Sequence, residues 1–405
     1  MKKILTVLTL FITSIGFSQY TSIPDPVFEQ VLIDLGYDTG VPDGTVLTSN
    51  ISVVDSLNLS DILVTDLTGI EDFDSLRYLN CSSTFVSGLL TSLDVSNNTS
   101  LTHLECFGNP LTSLDVSNNT SLTYLKCGYD SLTSLDVSNN TSLTYLKCNY
   151  NSLTSLDVSN NTSLTYLDCG FNSLTSLDVS NNTSLTQLFC GPNQLTSLDV
   201  SNNTSLTHLE CFGSPLTSLD VSNNTSLTYL SCFGNQLTSL DVSNNTSLTH
   251  VNCSSNLLEC LNIKNGNNSI ITLFDCTDNP NLSCIEVENR TYSIQNWTDI
   301  DSQQYFSSNC DNPCSSILGL TEVTSKSTFL FPNPTDNTTL LKIDGIITDN
   351  LRVHVFNTLG QHVMSVPVSS SSVNLDINTL GKGTYIVKLI DYNNSVISTE
   401  RLVKY

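Results

Sequence analysis

Between residues 90 and 249 the apolar and polar positions recur every 21 residues, and the segment LTSLDVSNNTSLT returns unchanged at Leu90, Leu111, Leu132, Leu153, Leu174, Leu195, Leu216 and Leu237. Self-similarity at a fixed period of this size marks a solenoid, in which a unit buries its apolar face only by stacking on its neighbours. One unit, Leu122 to Asn140, reads LTYLKCGYDSLTSLDVSNN. The alternation at Leu125-Lys126-Cys127 predicts a short parallel strand with Leu and Cys inward and Lys outward. Leu135-Asp136-Val137 repeats that alternation, so the opposite wall is expected to be extended too. Two extended segments in 21 residues leave no room for a full helix. The spacing begins earlier, with Leu57 and Leu59 followed 22 residues later by Leu79 and Cys81, so coils are expected from about residue 51. From Leu57 to about Ile285 they number roughly eleven, a stack on the order of 50 Å at about 4.8 Å per strand.

The flanks have a different pattern. Asp25-Pro26 followed by VFEQVLIDLG reads as a capped helix, with Asp25 accepting from free amides and Val27, Val31 and Leu35 along one face. Residues 20–50 are therefore expected to form an N-terminal cap. Ahead of them, Lys2 and Lys3, the apolar run Ile4 to Phe17 and the small residues at Gly16-Phe17-Ser18 read as a secretory signal peptide over 1–19. That run is too short for a confident membrane span, and no later segment approaches the roughly 20 apolar residues required, so the mature chain is expected to lack a transmembrane segment. After Cys253 the repeat decays through Ile271, Phe274, Cys276 and Asn279, which assigns 51–285 to the solenoid, 286–314 to a C-terminal cap and the Ser/Thr-rich 315–328 to a linker. Caps are needed because an end coil exposes apolar surface and unpaired strand edges. From 329 to 405 the alternating stretches TLLKI, LRVHVFN, SVNLDI, TYIVKLI and STERLVKY predict a small β-sandwich.

The repeat unit resembles the leucine-rich repeat consensus LxxLxLxxNxLxxL, with Cys127 at the third apolar position and Asp130 at the Asn position. Other coils place Asn109, Asn151, Asn172, Asn193, Asn235 and Asn256 there, while Ser214 and Thr84 depart from the pattern. The resemblance implies a ladder of side-chain amides that satisfies backbone groups of neighbouring turns, weakened at the departures. The last segment resembles the C-terminal sorting domain of the type IX secretion system, through Phe331, Pro332, Asn333 and Pro334, VHVFNTLGQHV with Gly360, LGKGTYIVKL with Gly383 and Tyr385, and the terminal RLVKY. That resemblance implies handling by the type IX secretion machinery and removal of the domain during export, leaving a protein that is secreted or held at the outer cell surface. The expected fold class is mostly β: a leucine-rich repeat solenoid of about eleven coils with a short helical cap, then a small β-sandwich sorting domain.

Charge narrows the partners. Lys and Arg number 14 against 38 Asp and Glu, for a formal net charge of -24, and residues 90–249 hold twelve acidic side chains against Lys126 and Lys147 alone. A phosphate-rich partner such as nucleic acid is disfavoured.

Nine cysteines from Cys81 to Cys253 share one inward position. Stacked equivalent side chains run parallel instead of converging on a metal, so they are expected to be buried free thiols, with no metal site and no cofactor. Cys260, Cys284, Cys310 and Cys314 lie off that column in the cap, where disulfides are plausible in an exported protein; Cys284 with Cys310 is the preferred pair. The column Asp94 to Asp241 is expected to accept local hydrogen bonds in preference to binding calcium.

Variation between copies falls on one face. Three residues before the column cysteines stand His103, Tyr124, Tyr145, Tyr166, Gln187, His208, Tyr229 and His250, all expected outward. Just after the cysteines, aromatic and small residues trade places between two columns, giving Phe107, Tyr129, Tyr150, Phe171, Phe212 and Phe233, with Lys126 and Lys147 between. Aromatic surfaces bury much area at low entropic cost, so a ligand-binding, aromatic concave strand face is expected, mediating protein–protein binding or adhesion. The alternatives are a glycan-binding surface, since Tyr rings can stack on sugars, and a structural spacer without a specific ligand. Histidines such as His103 and His208 read as lacking partners, and no nucleophile elbow, phosphate loop or HExxH occurs, so catalysis is not expected.

Overall fold

Three-residue strands follow one another at the period of the repeat, from Ser56–Asn58 and Tyr78–Asn80 to His250–Asn252 and Leu273–Asp275, and stack in chain order as one parallel sheet of eleven strands. The computed structural model describes residues 19–84, 88–310, 314, 328–343, 351–368, 370, 372–390 and 396–405. The expected signal peptide and linker lie outside the described residues except for Gln19 and Thr328. The chain divides into two compact units, one ending at Cys314 and one beginning at Ser315.

Within the first unit each strand hands its backbone to the next coil. Cys106 N donates to Lys126 O at 2.9 Å, Cys127 N to Lys147 O at 2.9 Å and Cys148 N to Asp168 O at 2.8 Å. The inward residues form a continuous core in which Leu104, Leu125, Leu146 and Val137 are wholly buried. Ten free thiols line it, the nine of the column and Cys276. Burial pushes the Cys81 thiol up to about 12 and holds those of Cys106 and Cys127 well above their ordinary value, so they behave as small apolar groups.

Two carboxamide ladders tie the coils together. In the one the consensus implies, Asn151 Nδ2 donates to the carbonyls of Cys127 (2.8 Å) and Cys148 (3.1 Å), while its Oδ1 accepts from Leu132 N (2.9 Å). A second ladder runs through the invariant SNNTS segment. Asn140 Nδ2 donates at 2.9 Å to Val116 O and to Asn119 O, and Asn161 repeats this one coil on. These wholly buried side chains give a second, inter-coil donor to carbonyls that already accept within their own turn, Val116 O from Asn119 N and Asn119 O from Leu122 N, both at 3.0 Å.

The wall opposite the main sheet keeps the expected alternation, with Leu135 and Val137 buried and Asp136 exposed, but little of it is paired. Through the first seven copies it carries only an isolated bridge from Asp94 to Asp115, and from the eighth it becomes a four-stranded parallel sheet of Ser239–Asp241, Cys260–Asn262, Cys284–Glu286 and Tyr305–Ser307. Ladder pairing coincides with the stretch that disulfides Cys260–Cys314 and Cys284–Cys310 hold together. In the copies the exposed Asp side chain works locally: Asp136 Oδ1 accepts from Ser138 N at 2.9 Å, and the Ser138 hydroxyl and amide hold its carboxyl below the usual range.

The N-terminal helix, Pro26–Asp34, is capped by Asp25, whose Oδ1 accepts from Val27 N and Phe28 N and whose Oδ2 accepts from Thr65 N and Oγ1. Its buried face is Phe28, Glu29 and Leu32, whereas Val27 and Leu35 of the expected face are exposed. Phe28 provides the larger apolar group and stacks on Phe73, and the Glu29 carboxylate accepts from Asp43 N (2.7 Å) and Gly44 N (2.8 Å), which together rotate the helix to that face. At the other end Trp297 closes the stack, against Phe274 and with Nε1 donating to Ile271 O at 3.2 Å.

The second unit comprises two antiparallel sheets. One orders Thr328–Phe331, Thr338–Ile343 and Ser372–Asp376; the other orders His362–Pro367, Arg352–Asn357, Gly383–Ile390 and Val396–Lys404. Both contribute to one buried cluster, including Leu341, Val373, Leu375, Val355, Val387 and Leu402.

Asp130 is the flaw in the first ladder. Its Oδ1 accepts from Asn109 N at 2.9 Å, but Oδ2 is buried without a hydrogen-bond partner among the described residues. Burial pushes this carboxyl up to about 8, against the backbone amides of Asn109 and Leu111. The folded chain therefore keeps a proton from about pH 4 to about 8 that the unfolded chain releases, so this residue's contribution to stability falls as pH rises through that window and then levels off. Asp130→Asn restores the two donors and should flatten the slope, raising the urea midpoint most at pH 8; identical pH profiles for the two proteins would contradict this.

Candidate functional site

Because neighbouring strands lie close together in register, one outward residue per strand meets its counterpart on the next coil. The first position of each strand forms a stack: His103 to Tyr124 at 3.9 Å between ring centroids, Tyr124 to Tyr145 at 4.2 Å and Tyr145 to Tyr166 at 4.2 Å, with planes within 11°. Gln187 interrupts this column, and Phe189 from the third position of the same strand fills the gap, 5.2 Å from Tyr166 and 4.8 Å from His208. The stack resumes through His208, Tyr229 and His250. Phe189 escaped the sequence reading because it occupies the column that elsewhere holds Glu105, Lys126, Lys147, Asp168 and Glu210; an aromatic in a charged column was the available signal.

The two alternating columns after the cysteines have a backbone explanation. The second residue past the cysteine has positive φ in eight coils, occupied by Gly108, Gly213 and Gly234, by Tyr129 (φ 57°), Tyr150 (53°) and Phe171 (53°), and by Ser255 and Asp278. Where glycine takes that site, the ring moves to the preceding residue, as in Phe107, Phe212 and Phe233. Where the ring stays, Gly128 and Gly170 precede it, and a Cβ on either would collide with the next coil, at Asn149 and at Gly191. A left-handed conformation costs an L-residue about 1–2 kcal/mol, and for bulky residues it is an outlier. Tyr129, Tyr150 and Phe171 accept that cost while 54%, 38% and 38% exposed. They stack on one another at 4.3 and 4.0 Å.

Charged groups lie between the two aromatic columns. Across four neighbouring strands the third positions read Glu105, Lys126, Lys147 and Asp168. Lys126 Nζ lies 3.4 Å from Glu105 and 3.8 Å from the Phe107 ring centre; Lys147 Nζ lies 2.9 Å from Asp168. Burial of Asp168 outweighs that pairing and raises its carboxyl above the usual range; for Lys147 burial works against the charge, and the Asp168 bond and charge prevail and raise it. The histidines are not partnerless, correcting the sequence reading: positions two apart share a face, so His103 Nε2 meets Glu105 at 3.3 Å and His208 Nε2 meets Glu210 at 3.0 Å. Among the described residues no group of three or more His, Cys, Asp or Glu could hold a metal, and no helix is long and apolar enough to cross a membrane.

In the second unit, Phe331 is exposed, while the neighbouring Asn333 is pinned to the last strand, its Oδ1 accepting from Val403 N at 2.9 Å and its Nδ2 donating to Arg401 O. Gly360 (φ 78°) makes the turn between Arg352–Asn357 and His362–Pro367. Gly383 opens the strand in which Tyr385 Oη donates to Gly381 O at 2.7 Å. The chain end is integral: Leu402 is wholly buried, and Lys404 Nζ donates to the carbonyls of Ile377, Asn378 and Leu380 at 2.7 to 3.1 Å.

These geometries separate two kinds of aromatic. Tyr145→Ala removes two face-to-face stacks from the sheet and should cost about 2–3 kcal/mol, read as a lower urea midpoint. Tyr150→Gly loses stacking but relieves backbone strain, so its stability should change by no more than about 1 kcal/mol; a larger loss would mean the left-handed conformation is unstrained. Deleting Leu402 to Tyr405 should unfold the second unit alone and leave the chain retained in the cell envelope of a type IX-competent bacterium, measured by immunoblotting of medium and cell fractions.

Residues 329–404 match the family of secretion system C-terminal sorting domains. No curated protein matches the chain. Among solved structures, the functional domain of InlJ from Listeria monocytogenes, described as including a cysteine ladder, is 26% identical, covering 96% of this chain and 99% of that one with a TM-score of 0.54. The internalin InlF from Listeria monocytogenes strain 4b F2365 is 21% identical, covering 72% of this chain and 96% of that one with a TM-score of 0.44. The sorting family indicates type IX export to the cell surface or extracellular space. The chain is a leucine-rich repeat solenoid followed by a C-terminal sorting domain of the type IX secretion system.

Proposed function

We propose that this protein is a non-catalytic binding module, exported by the type IX route, which attaches to another protein through the strand face of its solenoid and serves adhesion at or beyond the cell surface. The observation that carries this reading is the set of exposed aromatics held at a backbone cost in Tyr129, Tyr150 and Phe171, where glycine serves three other coils. Strain retained at exposed positions points to use of those side chains. The solenoid's likeness to InlJ adds to it, since leucine-rich repeat folds of this kind are typically non-enzymatic and present an extended surface to proteins.

The glycan alternative fits the geometry less well. Stacking on a sugar requires a free ring face, and in the Tyr and His column neighbouring rings lie 3.9 to 4.2 Å apart from His103 to Tyr166, so each inner ring offers only its edge. A spacer would need no strained aromatics at all.

The full chain, immobilised and probed in parallel with a panel of extracellular proteins and with a glycan array, tests the reading. Saturable binding to a protein that weakens at least about tenfold when Tyr129, Tyr150 and Phe171 are replaced by Gly is the expected outcome. Saturable glycan binding lost on Tyr145→Ala and Tyr166→Ala would favour the sugar-binding alternative, and no binding in either format would favour the spacer.

A further inference from the structure

The aromatic face is not uniform, and two independent oddities fall at the same place on it. The first is the run of left-handed aromatics Tyr129, Tyr150 and Phe171 on three consecutive coils. The second is charge: Lys126 and Lys147 are the only cations in residues 90–249, yet they occupy paired positions on adjacent strands, each leaning to an outer carboxylate. Like charges directly opposite each other in a sheet are unfavourable. In an array with twelve acidic side chains, a pattern alternating the two lysines with acids would avoid the clash. Between them opens a cavity of about 220 Å³ lined by Phe107, Lys126, Gly128, Tyr129, Lys147 and Asn149. Its lining thus brings two lysines and two aromatic rings together with Gly128, whose missing Cβ makes way for the close approach of Asn149.

We infer that this cavity and the adjoining aromatic run are the anchor of the binding face, and that the partner is a protein segment presenting a carboxylate side chain beside an aromatic or aliphatic one. The inference rests on the protein-binding reading above and narrows it. The carboxylate sits between Lys126 and Lys147, offsetting their repulsion without displacing Glu105 or Asp168, and the apolar neighbour lies along Tyr129, Tyr150 and Phe171. The Tyr and His stack on the strands, whose ring faces are already covered, then serves as the rigid floor behind the anchor. The surrounding acidity of the array repels acidic segments elsewhere, and this directs them to the one place where two lysines stand side by side.

The test uses the full chain and a displayed random-peptide library as the probe. Enriched peptides should carry Asp or Glu next to an aromatic or aliphatic residue. A synthetic enriched peptide should bind at least about tenfold more weakly to the Tyr129→Gly, Tyr150→Gly, Phe171→Gly triple variant and to the Lys126→Gln, Lys147→Gln double variant. It should also weaken with added salt, and be unaffected by His208→Ala with Tyr229→Ala on distant coils. Tyr150→Gly alone serves where the triple variant shows a lowered unfolding midpoint. Enrichment of basic peptides, or of peptides whose binding survives the first two variants and is lost with His208→Ala and Tyr229→Ala, overturns the anchor while leaving the protein-binding reading intact. Absence of any enriched peptide overturns both.

Discussion

A 21-residue coil cannot satisfy its own backbone, and the whole solenoid is organised around that deficit. A strand of three residues has no partner within its coil, so its amides and carbonyls must be matched by the coils before and after it. Where the chain turns out of the strand, buried carboxamides reinforce the main-chain bonds, one ladder beside the cysteines and one within SNNTS. The constraint explains why thirteen residues stay fixed. The segment's Leu and Val positions and its second Asn are buried, and its first Asn and last Thr bond to the preceding coil, so a change at any of these in one coil disturbs its neighbours. What is left free is a short stretch around the outward strand face, and there the coils differ.

Much of this is legible in the chain. The 21-residue period, the inward Leu and Cys positions and the longer alternating strands near the C-terminus give the two-part β architecture directly. The aromatic columns are also legible, because near-identical copies act as an alignment. Other features depend on facts a pattern does not encode. The second carboxamide ladder hides in SNNTS, since two adjacent Asn next to Ser and Thr read as a turn, and only burial of Asn119 and Asn140 separates it from one. The helix face at Phe28 and Leu32 competes with that at Val27 and Leu35 at equal spacing, and the choice is made by Phe73 and by the amides that Glu29 receives. The trading of Gly with Tyr or Phe is visible in the sequence, but the left-handed backbone behind it is not.

Cysteine takes two distinct roles in this chain. The ten free thiols are buried and resist ionisation, so few are thiolates able to attack a disulfide. The four cap cysteines are paired, Cys260 with Cys314 and Cys284 with Cys310. Separation of the two sets is therefore chemical as well as spatial: the interior neither competes for nor scrambles the bridges at the end of the stack.

Those bridges give the stack a direction. At the C-terminal end, the last coils are covalently closed over loops of 54 and 26 residues, whereas the N-terminal end is held by a helix, a short antiparallel strand pair and hydrogen bonds. In a linear array, loss of an end coil exposes the next, so unravelling propagates from whichever terminus opens first. Here that terminus is the first one. A protease, or a pull on a tethered partner, would peel the protein from residue 20 toward the staples, shedding coils one at a time and leaving the stapled cap for last.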